Sequence, residues 1–275
     1  MRQLFAVCTS VVWACLSIGL ASAEGDIVNL EANESPPYWS ASLPYNGMAG
    51  EIVHAISQEA GLVSNIHYKP LKRLIEDDNN NDLGNPAFYM RNQDFAAVVP
   101  IAVYYVSIFY YKEKFREPIR VKSMADLKGY RVGVLKGTVV SKAAFERSGV
   151  QFEESYTQAS LFKKLKRGRI DLCVEIDLVG HQVIRNLFPD EIDAFEEIKL
   201  VGSASPIAIM VAQNSANPAK LGERYSQGLK RIIESGKYNK ILESYYDKGH
   251  VPEGWFHQLK KFQQIYNFNL MEPEE

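Results

Sequence analysis

Beyond residue 25 the chain alternates short apolar runs with stretches whose apolar positions recur every three or four residues, the rhythm of an α/β protein. Residues 26–32 and 64–68 read as strands. Between them Ile52, Ala55, Ile56 and Ala60 share one face of a helix over 51–60, which Gly61 stops. Pro70 opens a second helix through Leu71, Leu74 and Ile75. Residues 95–111 could pass for a membrane span, but Pro100 interrupts them and their β-branched and aromatic content predicts buried strands. Ser123 is placed to cap a short helix over 123–127, and residues 131–135 read as a strand. Gly137-Thr138 then makes a turn into a helix through Ala143, Ala144 and Phe145. A helix around 161–167, ended by Gly168, precedes a strand at 170–174. Residues 197–201 and 207–211 read as two strands parted by 202–206, followed by helices at 219–235 and 238–246. The aromatic and charged tail, 250–275, has no element assigned from its pattern.

The N-terminus changes this picture. Arg2, an apolar run from Leu4 to Leu20 and Ala21-Ser22-Ala23 form the pattern of a secretory signal peptide (1–23) cleaved after Ala23, so a periplasmic protein is expected. Of the three cysteines, Cys8 and Cys15 fall in that segment. Cys173 would remain alone, so no intramolecular disulfide is available and an apolar core must hold the fold. Cys173 lies in an apolar strand pattern and reads as an inert core thiol. Hydrophobic residues make up 46% of the chain and charged ones 23%, as in ordinary globular proteins. A net charge of -2 without a basic block gives no footprint for nucleic acid.

Catalytic and metal motifs are scarce. The histidines at 54, 67, 181, 250 and 257 lack metal-ligand spacing, and no G-x-S-x-G, P-loop or G-x-G-x-x-G occurs. No cofactor or metal is expected. Asp78, Asn80 and Asp82 alternate as in a calcium loop, but Leu83 stands where the turn glycine belongs and Tyr89 where the bidentate glutamate belongs. A solvated loop over 76–82 is the expectation. Glu175 and Asp177, read on one strand, should face opposite ways, which argues against a paired-carboxylate site.

Several segments, taken in order, resemble the bacterial extracellular solute-binding protein family 3, the receptors of polar amino-acid ABC transporters. Asn33-Glu34-Ser35-Pro36-Pro37-Tyr38 resembles the loop after the family's first strand, and Gly47-Met48-Ala49-Gly50-Glu51-Ile52 the start of its first helix. Arg91, Phe95 and Pro100 keep the spacing of its arginine segment. Asp126-Leu127-Lys128-Gly129-Tyr130-Arg131-Val132-Gly133-Val134, Gly137-Thr138 and Gly168-Arg169-Ile170-Asp171 resemble three further family motifs. The resemblance spans roughly residues 26–247. It implies a two-lobed α/β periplasmic binding protein fold (type II) with two crossing hinge strands. Lobe 1 would hold 24–111 plus 205–275, and lobe 2 would hold 112–204. It also implies a monomer that captures a small polar, carboxylate-bearing solute, an amino acid or relative, for an ABC permease.

By the same resemblance, Arg91 binds the ligand carboxylate, for which a guanidinium fork is suited. Thr138, at a helix start, hydrogen-bonds that carboxylate. Tyr38 and Trp39 supply an aromatic cap, and Arg73 faces the cleft. Glu175 or Asp177 takes the ammonium. Phe88, Val139 and Ile176 depart from the family's hydroxyl, hydroxyl and acid at those positions, so an unmodified α-amino acid becomes one option among several. Phe88, Tyr89 and the tyrosines at 104, 105, 110 and 111 point to a more aromatic cleft. Two other functions share this fold: a periplasmic dehydratase resembling cyclohexadienyl dehydratase, with Glu175 as its acid, and a sensory receptor for a membrane partner.

Overall fold

The computed structural model describes residues 25–77, 79–136, 145, 147–246 and 251–267. The signal-peptide segment, Thr138, Val139 and the helix expected through Ala143 and Ala144 lie outside the described residues.

The strands are β1 (Asp26–Ala32), β2 (Leu62–Tyr68), β3 (Asn81–Gly84), β4 (Phe95–Tyr111), β5 (Val132–Leu135), β6 (Phe152–Ser155), β7 (Leu172–Ile176) and β8 (Phe195–Ala212). They join in the order β2-β1-β3-β8-β4-β7-β5-β6. β1 runs parallel to β2 and β3, and β5 runs parallel to β6 and β7. Between these parallel groups β4 and β8 pair antiparallel over their whole length, Phe95 opposite Ala212 and Tyr111 opposite Phe195. Two parallel half-sheets are thus tied by two long strands that pass through both.

β4 is buried along nearly its whole length, which fits a strand covered on both faces. Pro100, which has no N–H for the ladder, sits at one of its register shifts. β8 unites the two strands expected at 197–201 and 207–211. The break in the pattern is real but local: Tyr105 faces Ala204 while Ser107 faces Lys199, so residues 200–203 stand opposite Val106 alone, an excess of three on β8. Gly202, at φ +76°, turns this excess, and Ser203 Oγ donates to Val106 O at 2.9 Å. The chain passes between the half-sheets at this bulge.

Helices α1 (Gly47–Ala60), α6 (Pro218–Glu234) and α7 (Lys237–Tyr246) pack against the first half-sheet. Their apolar faces, with Leu30, Ile52, Ile101, Ile209 and Tyr225, form the largest core. Short helices α2 (Leu71–Glu76) and α3 (Pro86–Tyr89) cover the other face, around Leu74, Tyr89, Val98 and Met210. The second half-sheet has a core on each face. One lies around Leu127, Val132 and Phe145; the other lies under α4 (Gln158–Lys166) and α5 (Asp177–Leu187). Ile108 and Phe109 of β4 pack in these second-lobe cores. The tail forms α8 (Trp255–Asn267), which lies along β4 and brings Trp255 and Leu259 into the largest core.

The solvated loop expected over 76–82 is corrected at its end. Asn81 and Asp82 belong to β3, where Asp82 pairs with Glu31 and Met210 and is buried. Polar residues carry this strand because its hydrogen bonds come from β1 and β8. No group of acidic, histidine or cysteine side chains able to hold a metal occurs among the described residues. No helix among them is long and apolar enough to cross a membrane. Cys173 is buried and free, its thiol pushed up by burial, in keeping with the inert-core reading.

Candidate functional site

The site forms where the C-terminal ends of β1 and β7 meet the crossing strands, the place where open α/β sheets bind ligands. On the lobe-1 side the chain leaves β1 at Ala32 and folds into a tight loop. Ser35 and Trp39 bridge there, with Ser35 N donating to Trp39 O at 2.8 Å. The first amides of α1, which lack helical partners, hold this loop: Met48 N donates to Pro37 O at 3.1 Å and Ala49 N to Tyr38 O at 2.7 Å. Gly47 makes the approach possible. Its φ is +83°, and a Cβ there would lie 2.6 Å from Pro37 O. Tyr38 and Trp39 are buried as a result.

On the lobe-2 side β7 ends at Ile176 and Asp177 is the first residue of α5. The expectation that Glu175 and Asp177 alternate on one strand is therefore corrected, because the backbone turns helical between them. Both are buried. Asp177 Oδ1 accepts from the Tyr38 hydroxyl and from Tyr105 N at 3.3 Å. Its Oδ2 accepts from the Tyr246 hydroxyl at 2.8 Å. Burial pushes the Asp177 carboxyl up, opposed by the hydrogen bonds from the two phenols. The Tyr38 and Tyr246 hydroxyls are likewise pushed up, first by burial and then by the neighbouring carboxylate.

Glu175 is less well served. Oε1 accepts from Ile176 N at 2.9 Å, while the buried Oε2 has no partner among the described residues. Burial raises this carboxyl to about 7. Trp39 Nε1 and the Tyr105 hydroxyl are also buried with no partner among the described residues. The Tyr38 ring lies 6.0 Å from that of Tyr104, whose hydroxyl accepts from Asn85 Nδ2 at 2.7 Å. Asn85 also caps α3, accepting from Ala87 N at 2.9 Å.

Tyr38 and Asp177 thus meet at the junction, with the Trp39 ring 6.2 Å from that of Tyr38, while Glu175 lies on β7 two residues before Asp177. Arg73, in α2, and Arg91, in the turn after α3, are exposed and make no ion pair with any described residue. Thr138 lies outside the described residues. The expected aromatic cleft is corrected in part. Tyr104 and Tyr105 reach the junction, but Phe88 and Tyr89 pack around Leu74 on the far face of the sheet. Tyr110 and Tyr111 belong to the second-lobe cores. Strand alternation and the register of β4 decide which ring faces where. Sequence reasoning missed Tyr246, whose only sign was its place on the apolar face of α7, and Trp255 in the unassigned tail.

Solved structures share this architecture. An ancestral cationic amino acid solute binding protein matches with TM-score 0.60 and 17% identity, over 80% of this chain and 95% of that one. A histidine kinase sensor domain with similarity to periplasmic binding proteins matches with TM-score 0.57 and 19% identity, over 81% and 96%. The arginine-, lysine-, histidine-binding protein of the thermophilic bacterium Geobacillus stearothermophilus matches with TM-score 0.56 and 20% identity, over 86% and 100%. The chain has the two-lobed periplasmic binding protein fold. At these identities the likeness speaks for fold, not ligand. No protein-family model matches the sequence, and no curated protein does. In the binding-protein fold the crossing strands are the hinge, and Tyr38 and Asp177 stand on its two sides, one from each lobe.

Proposed function

We propose that this protein is an exported receptor that captures a small polar, carboxylate-bearing solute, an amino acid or a relative, and delivers it to an ABC permease in the inner membrane. The carrying observation is the junction itself. Two continuous strands link two lobes, and Tyr38 of one, with Trp39 beside it, meets the buried Asp177 of the other. Such a site encloses a small ligand when the lobes close. The indole N–H of Trp39 and the hydroxyl of Tyr105 are buried polar groups still able to bond a ligand. The N-terminal segment, 1–23, supports export. Similar proteins in this fold include the substrate-binding protein of an amino acid ABC transporter.

Isothermal titration of the mature protein with amino acids, amines and small organic acids tests the proposal, alongside native mass spectrometry of the purified protein. Saturable one-to-one binding of a member of these classes is the expected result. A folded protein that binds none of them and carries nothing from the cell would sink it.

A second reading rests on Glu175. A buried carboxyl raised to about 7 is partly protonated at neutral pH and can serve as a general acid, as a dehydratase on this fold requires. Turnover of arogenate or prephenate, lost in Glu175→Gln, would favour it over simple binding.

A further inference from the structure

Asp177 belongs to lobe 2 by its place at the start of α5, yet lobe 1 holds both of its carboxylate oxygens. Tyr38 reaches Oδ1 from the loop after β1, and Tyr246 reaches Oδ2 from the end of α7. These partners lie 139 and 69 residues away along the chain. All three side chains are buried. Leu178 and Val179 follow Asp177 into the lobe-1 core, so apolar contact reinforces the polar one. Behind Tyr246 stands α8. The Trp255 ring meets Tyr246 edge-on at 5.4 Å and Tyr105 at 6.3 Å. Its Nε1 donates to the Tyr238 hydroxyl at 3.2 Å, which donates to Ile101 O on β4 at 2.7 Å. The Tyr246 ring is therefore fixed from behind by the tail.

We propose that Tyr38, Asp177 and Tyr246 form a clasp that holds the two lobes together without any ligand, with α8 as its backing. The closed arrangement is the resting state, and opening requires both phenols to leave Asp177 together. The clasp also bears on ligand choice. A ligand group that bonds Asp177 must displace a phenol, so a ligand enclosed by the lobes leaves the clasp intact when it bonds other groups, such as the Trp39 indole N–H or the Tyr105 hydroxyl. Each hydrogen bond to an ionised group shifts an equilibrium by roughly tenfold or more. Removing two of them should shift the balance between closed and open forms by at least that factor.

The test needs no ligand. Spin labels are attached to the mature protein at Asn92→Cys in lobe 1 and Glu154→Cys in lobe 2, both exposed positions, while buried Cys173 stays unlabelled. Double electron–electron resonance then reports the distance between the lobes. With the clasp intact, one narrow, short distance is expected. In Tyr38→Phe/Tyr246→Phe, which keeps both rings, a longer population should rise at least tenfold. Asp177→Asn should give a smaller rise, and it decides the matter alone if the double variant does not fold. Distributions that are the same with and without the clasp, or a wild type already open, would overturn the proposal.

Discussion

Arg131 and Asp171 meet through two parallel contacts, Nε to Oδ2 at 3.0 Å and Nη2 to Oδ1 at 2.7 Å. The Arg131 backbone N adds a third at 2.9 Å, and Lys114 reaches Oδ1 at 3.0 Å. Two of the segments that carried the family resemblance, 126–134 and 168–171, thus bind each other at the foot of β5 and β7. Their role is to fix lobe 2, away from the junction. Asp171→Asn should lose on the order of 1–3 kcal/mol at pH 7, as expected for hydrogen bonds to charged groups. These partners hold the Asp171 carboxyl well below its usual range. Its contribution is present above the unfolded value of about 4 and fades as pH falls toward the folded value. Urea denaturation of wild type and variant should therefore differ at pH 7 and converge in acid.

Glu175 should behave in the opposite sense. Its folded value, about 7, lies above that of the unfolded chain. The folded state is then weakened as pH rises from about 4 to about 7, and the effect levels off above that. Glu175→Gln removes the ionisable group. It should stabilise the protein at pH 8 by on the order of 1–3 kcal/mol and have little effect near pH 4. Denaturation midpoints at the two pH values measure this. A variant equally destabilised at both would show that the carboxyl is not held protonated.

Gly47→Ala should damage both stability and the junction. The left-handed backbone and the short approach to Pro37 O leave no room for a methyl group. A loss of about 1–3 kcal/mol is expected from strain of this kind. Near-ultraviolet circular dichroism should also change, because the loop carrying Tyr38 and Trp39 must move.

Trp255→Ala tests the tail. The indole is fully buried between Tyr105, Tyr238 and Tyr246. Truncating a buried aromatic of this size costs about 3–5 kcal/mol. A drop of that order in urea denaturation would show that α8 is part of the folded unit. A change below about 0.5 kcal/mol, the scale of surface substitutions, would show that the tail is peripheral.

Some of this protein was legible in the chain alone because the signal is local. Helical periodicity placed α1, α6 and α7, and β-branched and aromatic runs placed β1 and β4, since both patterns report how each segment buries its own apolar positions. The ordered motifs also pointed to two lobes, and they named Tyr38, Trp39, Glu175 and Asp177, which are buried, together with Arg73 and Arg91, which are exposed, and Thr138, which lies outside the described residues. What the chain could not show depends on partners far away in sequence. β3 and β6 are polar or exposed segments that become strands because neighbours complete their hydrogen bonds. β8 is one strand because β4 carries it across the bulge at 200–203. Tyr246 and Asp177 meet only once the two lobes are packed, and no local pattern encodes a contact between the end of one helix and the start of another. The sequence determined which elements form and which side chains have the chemistry to serve; tertiary packing decided which of them face one another, because register and lobe closure depend on the whole sheet.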